Sequence, residues 1–309
     1  MGTTTGFFID LSWQDNPFCT ERFTLLQIER MQLKKIFNAF FRPDRLALLD
    51  YDIVPSPMYT KEQPHQQLLQ RLQQQHNHYK QLLQQALQYK DNFCDIHIQE
   101  TNATAAPVWK NDFFPGLDIV VLYTLLATVK PKRYVEIGSG TSTKIAAKAK
   151  AEQQLTTTIT CIDPYPRKEI TTVADEWFNV PLQQAPLSLF ENLEADDVLF
   201  FDGSHLLHAN SDVQWFFMEV LPRLKAGVVV QVHDIYLPYD YPQNMCDRFY
   251  AEQYILATML LSNAERFEII SPNFYMSEDD ELKTILKPLW KELPGVEKHG
   301  GSFWWRVKW

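Results

Sequence analysis

Apolar residues in the first 110 positions recur at helical spacing. One helix is predicted for residues 22–41 and a second, glutamine-rich helix for residues 64–90, where apolar positions return at alternating steps of four and three. This stripe is formed by Leu68, Leu72, Gln75, Tyr79, Leu82, Ala86 and Tyr89. Such a stripe packs on its own domain, pairs with the first helix or forms a dimer seam. We expect the first arrangement, and a homodimer through these helices is the alternative.

Beyond residue 110, short apolar runs alternate with helical segments. Strands are predicted for residues 134–137, 157–162, 198–201, 227–232, 266–270 and 303–307, with a weak one for 179–184. Helices are predicted for residues 117–129, 142–152, 187–193, 212–221, 246–261 and 278–293, the last capped by Ser277 and kinked at Pro288. This alternation is typical of a parallel sheet with helices on both faces. We therefore predict a helical region over residues 1–110 and an α/β domain over residues 111–309.

Charge and cysteine content narrow the classes of partner and compartment. The net charge of −9 disfavours nucleic acid or an anionic membrane as the main partner, because both require clustered Lys and Arg. The four cysteines are scattered without metal-binding spacing, so a reducing cytoplasm is the expected location. The longest apolar stretch, residues 117–129, contains Asp118 and is too short to span a bilayer.

Polar residues stand where four of the predicted strands end. They are Gly138-Ser139-Gly140, Asp163, the segment from Asp202 to His205, and His233-Asp234. In an open parallel sheet, ligands bind beyond the carboxyl ends of the strands. Glycine is scarce, with only 10 in 309 residues, so two in one turn indicate a close approach to a ligand.

The first of these turns has features that discriminate between ligands. Gly138 and Gly140 let the backbone approach a ligand, but Thr143 stands where a dinucleotide-binding turn has its third glycine. Glu136, two residues before the turn, would repel a pyrophosphate and suits a cationic group. Asp163 can accept hydrogen bonds from both hydroxyls of a ribose. These residues predict a nucleoside with a positively charged tail; the alternative is that the two acids only cap helices.

S-adenosylmethionine is such a nucleoside. With Glu136-Ile137-Gly138-Ser139-Gly140 and Asp163 in this order, residues 117–307 resemble class I S-adenosylmethionine-dependent methyltransferases. The resemblance implies a Rossmann-like, seven-stranded, mostly parallel sheet whose last strand inserts antiparallel. It also implies a set of cofactor-binding residues, namely Glu136, Gly138, Ser139, Gly140, Thr143, Asp163 and Asp202.

The segment Phe201-Asp202-Gly203-Ser204-His205 is similar to a turn in the branch that includes macrocin-type sugar O-methyltransferases. The resemblance implies that His205 is a general base and that Asp202 is catalytic and a metal ligand. The resemblance also assigns Asp234 to the metal site. His233 is included because it occupies the position at which that branch has a further acidic residue. Because imidazole binds transition metals better than magnesium, the sequence leaves open whether a divalent ion is bound at this site.

The tyrosine-rich loop over residues 235–242 is expected to bind the acceptor through Tyr236, Tyr239 and Tyr241, because aromatic faces stack on sugars and flat molecules. The predicted reaction is methylation of a hydroxyl on a small molecule, a sugar or a secondary metabolite. Two rival functions are a non-catalytic S-adenosylmethionine-binding scaffold or sensor and an NAD-dependent oxidoreductase. Glu136 and Thr143 disfavour the oxidoreductase.

Overall fold

The computed structural model describes residues 50, 52–99, 105–166 and 169–308. Residues 55–309 form one compact unit. The helix predicted for residues 22–41 lies outside the described residues. Within the described part of the chain, no helix is long and apolar enough to cross a membrane.

The helices and strands alternate along the chain as the apolar pattern predicts. The strands are β1 (Arg133–Ile137), β2 (Thr158–Ile162), β3 (Glu176–Phe178), β4 (Val198–Phe201), β5 (Val229–Val232), β6 (Phe267–Pro272) and β7 (Phe303–Val307). The α-helices are α1 (Gln66–Gln73), α2 (His76–Ala86), α3 (Lys90–Cys94), α4 (Gly116–Val129), α5 (Thr141–Glu152), α6 (Ser188–Glu191), α7 (Asp212–Trp215), α8 (Gln243–Cys246), α9 (Glu252–Ser262), α10 (Asn273–Glu278), α11 (Leu282–Ile285) and α12 (Lys287–Trp290).

The seven strands form one sheet of order β3-β2-β1-β4-β5-β7-β6. Strands β1 to β5 run parallel, and β7 is antiparallel to both β5 and β6. The central strands are apolar because helices cover them on both faces: β4 and β5 are buried along their whole length. The predicted fold, a seven-stranded and mostly parallel α/β sheet, is confirmed. It places the carboxyl ends of β1, β2, β4 and β5 on one edge.

The glutamine-rich segment packs on this sheet domain. Leu68, Leu72, Tyr79, Leu82 and Ala86 are buried in the same core as the strands, which confirms the expected packing on its own domain. The single helix predicted for residues 64–90 is wrong, because α1 ends at a turn before α2 begins and a 3-10 turn separates α2 from α3.

Two further predicted elements are wrong. The edge strand is β3, not residues 179–184, where a 3-10 turn (Leu182–Gln184) follows Pro181. The helix predicted for residues 278–293 is two short helices, α11 and α12, and α10 ends at Glu278. The Asp279 carboxylate accepts hydrogen bonds from the next turn and starts α11, and Pro288 lies in the first turn of α12 instead of forming a kink. Ser277 is not a cap, since its hydroxyl donates to the Phe274 carbonyl.

Two more helices are interrupted. The segment predicted as one helix over residues 246–261 comprises α8 and α9, which are separated by Phe249 at a positive φ of 59°. The helix predicted for residues 212–221 begins as α7 and continues as a π-helix (Phe216–Val220).

Candidate functional site

The glycine turn after β1 is held against the end of β4. Gly138 has a φ of +79°, and a Cβ at this position would overlap the carbonyl oxygen of Asp202. Only glycine tolerates both the left-handed backbone and the close approach. The strand ends that carry the turn and Asp202 are therefore packed directly together.

We expect Gly138→Ala to destabilise the protein by at least about 1–3 kcal/mol, the usual cost of a strained backbone. At about 2–4 °C per kcal/mol, Tm should fall by several degrees. Gly140→Ala is the matched control, because its backbone is extended and a Cβ there meets nothing within 4 Å. Equal melting temperatures for the two variants, measured by circular dichroism, would contradict the close packing at Gly138.

Glu136 and Thr143 brace this turn from below. Glu136 is fully buried and accepts hydrogen bonds from the hydroxyls of Ser142 and, at 2.6 Å, Thr143. Burial raises the pKa of Glu136 to about 8, although these two hydrogen bonds oppose the shift. The Thr143 hydroxyl also accepts from the backbone N–H of Gly140, at 3.1 Å. These residues shape the turn, and Glu136, Gly140 and Thr143 do not line the cavity in front of it.

That cavity, which we name the cofactor cavity after the ligand expected there, has a volume of about 550 Å³ and lies at the carboxyl ends of β1, β2 and β4. Ser139 and Asp163 face it and contact each other: the Ser139 N–H and hydroxyl donate to the Asp163 carboxylate at 3.0 and 2.6 Å. Gly138 and two more acidic residues, Asp202 and Asp212, also line it. The acidic lining favours a cationic ligand.

A second cavity, which we name the acceptor cavity after the expected substrate, has a volume of about 660 Å³. It shares Asp202, Gly203 and Ser204 with the cofactor cavity, so these three residues form a common wall. Its other walls include Trp109, Phe114, His205, Tyr236 and Tyr250. Both volumes fall in the range of small-molecule sites.

Four charged side chains converge beside the common wall. Oδ1 of Asp202 lies 3.5 Å from both Nε2 of His205 and Nδ1 of His233. The Asp234 carboxylate lies 3.5 Å from the same two ring nitrogens. Both His205 and Asp234 have positive φ angles, of 63° and 53°, a strained backbone that clusters at functional sites.

A second pair of carboxylates orients the two rings from behind. Oε1 of Glu252, which is completely buried, hydrogen-bonds to Nδ1 of His205. Oδ2 of Asp118, also buried, lies 3.1 Å from Nε2 of His233. The Tyr250 ring stacks on His205 with centroids 4.5 Å apart. The rings are thus fixed with one nitrogen toward the acceptor cavity.

The charges in this cluster shift each other's pKa values. Burial acts to lower the pKa of His205, but Glu252, Asp202 and Asp234 raise it to about 9. Burial likewise opposes protonation of His233, while Asp202 and Asp234 raise its pKa well above the usual value. Burial opposes ionisation of Asp202, yet His233 and His205 hold its pKa below the usual range.

Of the three tyrosines expected to bind the acceptor, only Tyr236 lines the acceptor cavity. Its ring packs 4.4 Å from that of Phe274. Tyr241 is buried and its hydroxyl accepts a hydrogen bond from the Gln253 N–H at 3.2 Å. Tyr239 is half-buried and lies outside the cavity lining. Tyr241 therefore supports the loop, and Tyr236 is the tyrosine placed to meet an acceptor.

The predicted metal ligands Asp202, His233 and Asp234 are neighbours. One imidazole and two carboxylates form a mixed donor set that suits a transition metal better than magnesium. These groups are already paired with each other at 3.5 Å, and among the described residues no three such side chains are arranged to hold an ion. A divalent ion at this cluster stays a prediction.

Part of the chain is similar to known methyltransferases. Residues 135–235 match a family model described as a methyltransferase domain. Among solved structures, the chain is similar to the SAH-bound methyltransferase PaMTH1 of Podospora anserina, at 15% identity and a TM-score of 0.37, over 62% of this chain and 77% of the other. A putative methyltransferase from Thermobifida fusca matches at 14% identity and a TM-score of 0.37, over 64% and 85%. Comparison with curated proteins finds no match.

The matched segment contains the glycine turn, Asp163, Asp202 and the end of β5. Residues 135–235 are therefore a methyltransferase domain of the class I, S-adenosylmethionine-dependent type, and the protein is an enzyme. The enzyme class and the cofactor predicted from the glycine turn are thereby confirmed.

Proposed function

We propose that the protein methylates a hydroxyl of a small molecule, with His205 as the general base. The observation that carries the proposal is the common wall: a cofactor cavity and an acceptor cavity meet at Asp202, Gly203 and Ser204, and His205 follows directly. A sugar or secondary-metabolite acceptor is proposed from the resemblance of Phe201-Asp202-Gly203-Ser204-His205 to macrocin-type enzymes.

The residues of the cofactor cavity fit S-adenosylmethionine, which when bound supplies a methyl group on a sulfonium. Asp163 would accept hydrogen bonds from the ribose hydroxyls, and Ser139 would hold the Asp163 carboxylate in place. Asp202, ionised and facing both cavities, would favour the positive charge near the sulfur. Glu136, Gly140 and Thr143 would act on the cofactor through the shape of the turn.

His205 would take the proton of the acceptor hydroxyl as the oxygen bonds to the methyl carbon and the carbon–sulfur bond breaks. Its Nε2 is the nitrogen toward the acceptor cavity, because Nδ1 is hydrogen-bonded to Glu252. Glu252 is a positioning residue that fixes the ring and stabilises its protonated form. Asp202 and Asp234 stabilise the same protonated ring through their contacts with Nε2.

The pH dependence of kcat/KM tests the base. The active form of His205 is neutral, and its pKa is raised to about 9, so kcat/KM should rise about tenfold per pH unit between pH 7 and 9 and then level off. The groups that face His205 are Asp202, Asp234, Glu252 and Tyr250. A pH-independent kcat/KM between pH 6 and 10 would contradict the assignment.

The Glu252→Gln variant tests whether Glu252 positions the His205 ring or only stabilises the fold. Removal of the carboxylate charge should lower the pKa of His205, so the rising limb should move to lower pH while the maximal rate falls. A variant that merely loosens the structure would lose rate without moving the limb. An unchanged limb position would refute the role given to Glu252.

We also propose where the protein is located, how it assembles and what kind of partner it binds. A cytoplasmic location agrees with the free thiols of Cys94, Cys161 and Cys246. A homodimer through the N-terminal helices, and an N-terminal helical region ending at residue 110, stay predictions. The acidic net charge of −9 continues to favour a small-molecule partner over nucleic acid or membrane.

A further inference from the structure

Asp212, the first residue of α7, contacts the common wall from the side of the cofactor cavity. Its carboxylate accepts two hydrogen bonds from Ser204, one from the backbone N–H at 2.7 Å and one from the hydroxyl at 2.5 Å. The Ser204 hydroxyl in turn accepts the N–H of Leu206, at 3.3 Å. Asp212 therefore ties the wall to a helix that begins eight residues further along the chain.

The middle of the common wall packs against the same carboxylate. A Cβ on Gly203 would lie 2.6 Å from Oδ2 of Asp212 and 2.7 Å from the Phe201 ring, so only a hydrogen atom fits there. The buried Phe201 ring stacks on that of Phe216, with centroids 4.1 Å apart. Phe216 belongs to the π-helix that continues α7, so the helix that carries Asp212 is docked on the strand that carries the wall.

The two ends of the wall are held in different ways. At the β4 end, the Asp202 N–H donates to the Ile137 carbonyl at 2.9 Å and continues the ladder of the sheet. Ser204 lies beyond the sheet and is exposed, and both of the hydrogen bonds that it donates go to Asp212. Because Ser204 lines both cavities, the carboxylate of Asp212 controls a residue that separates them.

We infer that Asp212 is a positioning residue of the enzyme: its carboxylate holds Ser204 and thereby fixes the wall between cofactor and acceptor. Both carboxylate oxygens are engaged by Ser204, so Asp212 acts on the cofactor through the wall. Small displacements of such a wall change the alignment of the reactants, to which a transfer reaction is sensitive. The inference rests on the place that the proposed function gives to the cofactor, and it requires neither the acceptor nor the general base.

The affinity for S-adenosylhomocysteine, measured by calorimetry on the full-length protein, tests the inference. Asp212→Ala should weaken binding about tenfold, since Ser204 loses the acceptor of both its hydrogen bonds. Asp212→Asn should stay within about threefold of the wild type, because its amide oxygen can accept the Ser204 N–H and its amide nitrogen can donate to the Ser204 hydroxyl.

Asp175→Ala is the matched control. Its carboxylate also accepts a backbone N–H, that of Ile159 at 2.7 Å, but Asp175 lines neither cavity. This variant should lose thermal stability and keep its affinity. Melting temperatures therefore separate a merely structural role from a positioning role, since a structural role lowers Tm without changing the affinity of the folded protein. Asp212→Ser, too short to reach Ser204, should show the loss of affinity if Asp212→Ala does not fold.

Ser204→Ala shows whether Asp212 acts through Ser204. Alone, this change should weaken binding about threefold. Combined with Asp212→Ala it should add no further loss, because the hydroxyl has then already lost its acceptor.

Four results would overturn the inference: an unchanged affinity in the folded Asp212→Ala or Asp212→Ser protein, a loss in Asp212→Asn as large as that in Asp212→Ala, additive losses in the double variant, or a loss in Asp212→Asn that is confined to S-adenosylmethionine. The last result would show that the charge of Asp212 acts directly on the sulfonium. A wrong cofactor site is recognised separately, because Asp163→Ala would then also bind S-adenosylhomocysteine normally.

Discussion

His205→Asn is expected to lower kcat of methyl transfer by about 100- to 10,000-fold, the usual contribution of a positioned general base. Asparagine cannot take up the hydroxyl proton, so the attacking oxygen would remain neutral. His205 lines the acceptor cavity and not the cofactor cavity, so the affinity for S-adenosylhomocysteine should stay within about twofold of the wild type. Single-turnover rates with labelled S-adenosylmethionine and calorimetry with S-adenosylhomocysteine measure the two quantities separately.

The matched control for this prediction is His78→Asn, an exposed histidine of α2 that lines neither cavity. It should leave both the rate and the affinity unchanged. A His205→Asn enzyme with a rate within threefold of the wild type would show that another group accepts the proton. If the His205→Asn variant also lost affinity for S-adenosylhomocysteine, His205 would contribute to cofactor binding, and the assignment of His205 to the acceptor cavity alone would be wrong.

Asp163→Ala is expected to weaken cofactor binding by about 10- to 100-fold. Two hydrogen bonds from the ribose to a carboxylate are lost, and hydrogen bonds to charged groups contribute about 1.5–3 kcal/mol each, of which solvent replaces a part. The carboxylate also holds the Ser139 N–H and the N–H of Tyr165, at 3.0 and 2.8 Å, so the turn should loosen as well. Titration calorimetry with S-adenosylhomocysteine measures the change.

Ser139→Ala tells these two contributions apart. It removes only the hydroxyl that donates to Asp163 and keeps the backbone N–H and the carboxylate. We expect an affinity loss of less than about fivefold, since the ribose hydroxyls retain their acceptor. If Ser139→Ala is as damaging as Asp163→Ala, or if Asp163→Ala binds normally, Asp163 does not hold the ribose.

The sheet and the place of the site were predictable because they depend on local patterns. Buried parallel strands are continuous apolar runs, and the polar residues that end them, such as Asp163 and Asp202, must meet at one edge. The same logic could not find Asp118 and Glu252. They are 115 and 47 residues away in the chain from His233 and His205, which they contact. The one sign of Asp118 in the sequence was its position as an acidic residue in the otherwise apolar helix α4.

The wrong elements have a common physical cause. Apolar spacing shows which face of a helix is buried but not where the helix stops. In the segment predicted as one helix over residues 278–293, α10 has ended at Glu278 and Asp279 caps a new turn, so the chain forms α11 and α12 while Leu282, Leu286 and Trp290 keep a helical spacing. Side-chain-to-backbone hydrogen bonds of this kind compete with helix continuation.

The roles of Glu136 and Thr143 also depend on packing that the sequence does not reveal. Both were expected to touch the cofactor, since the motif places them beside the turn. In the structure, Glu136 is sealed beneath the turn and bonded to Ser142 and Thr143. Whether an acid faces a cavity or the core is decided by the helix that covers it, in this case α5.

A crystal structure of the protein with S-adenosylhomocysteine would decide whether cofactor and acceptor meet at the common wall. We expect the adenosine in the 550 Å³ cavity, the ribose hydroxyls on Asp163, and the sulfur facing the acceptor cavity across Asp202, Gly203 and Ser204. S-adenosylhomocysteine in the 660 Å³ acceptor cavity, or a sulfur directed away from His205, would contradict this expectation.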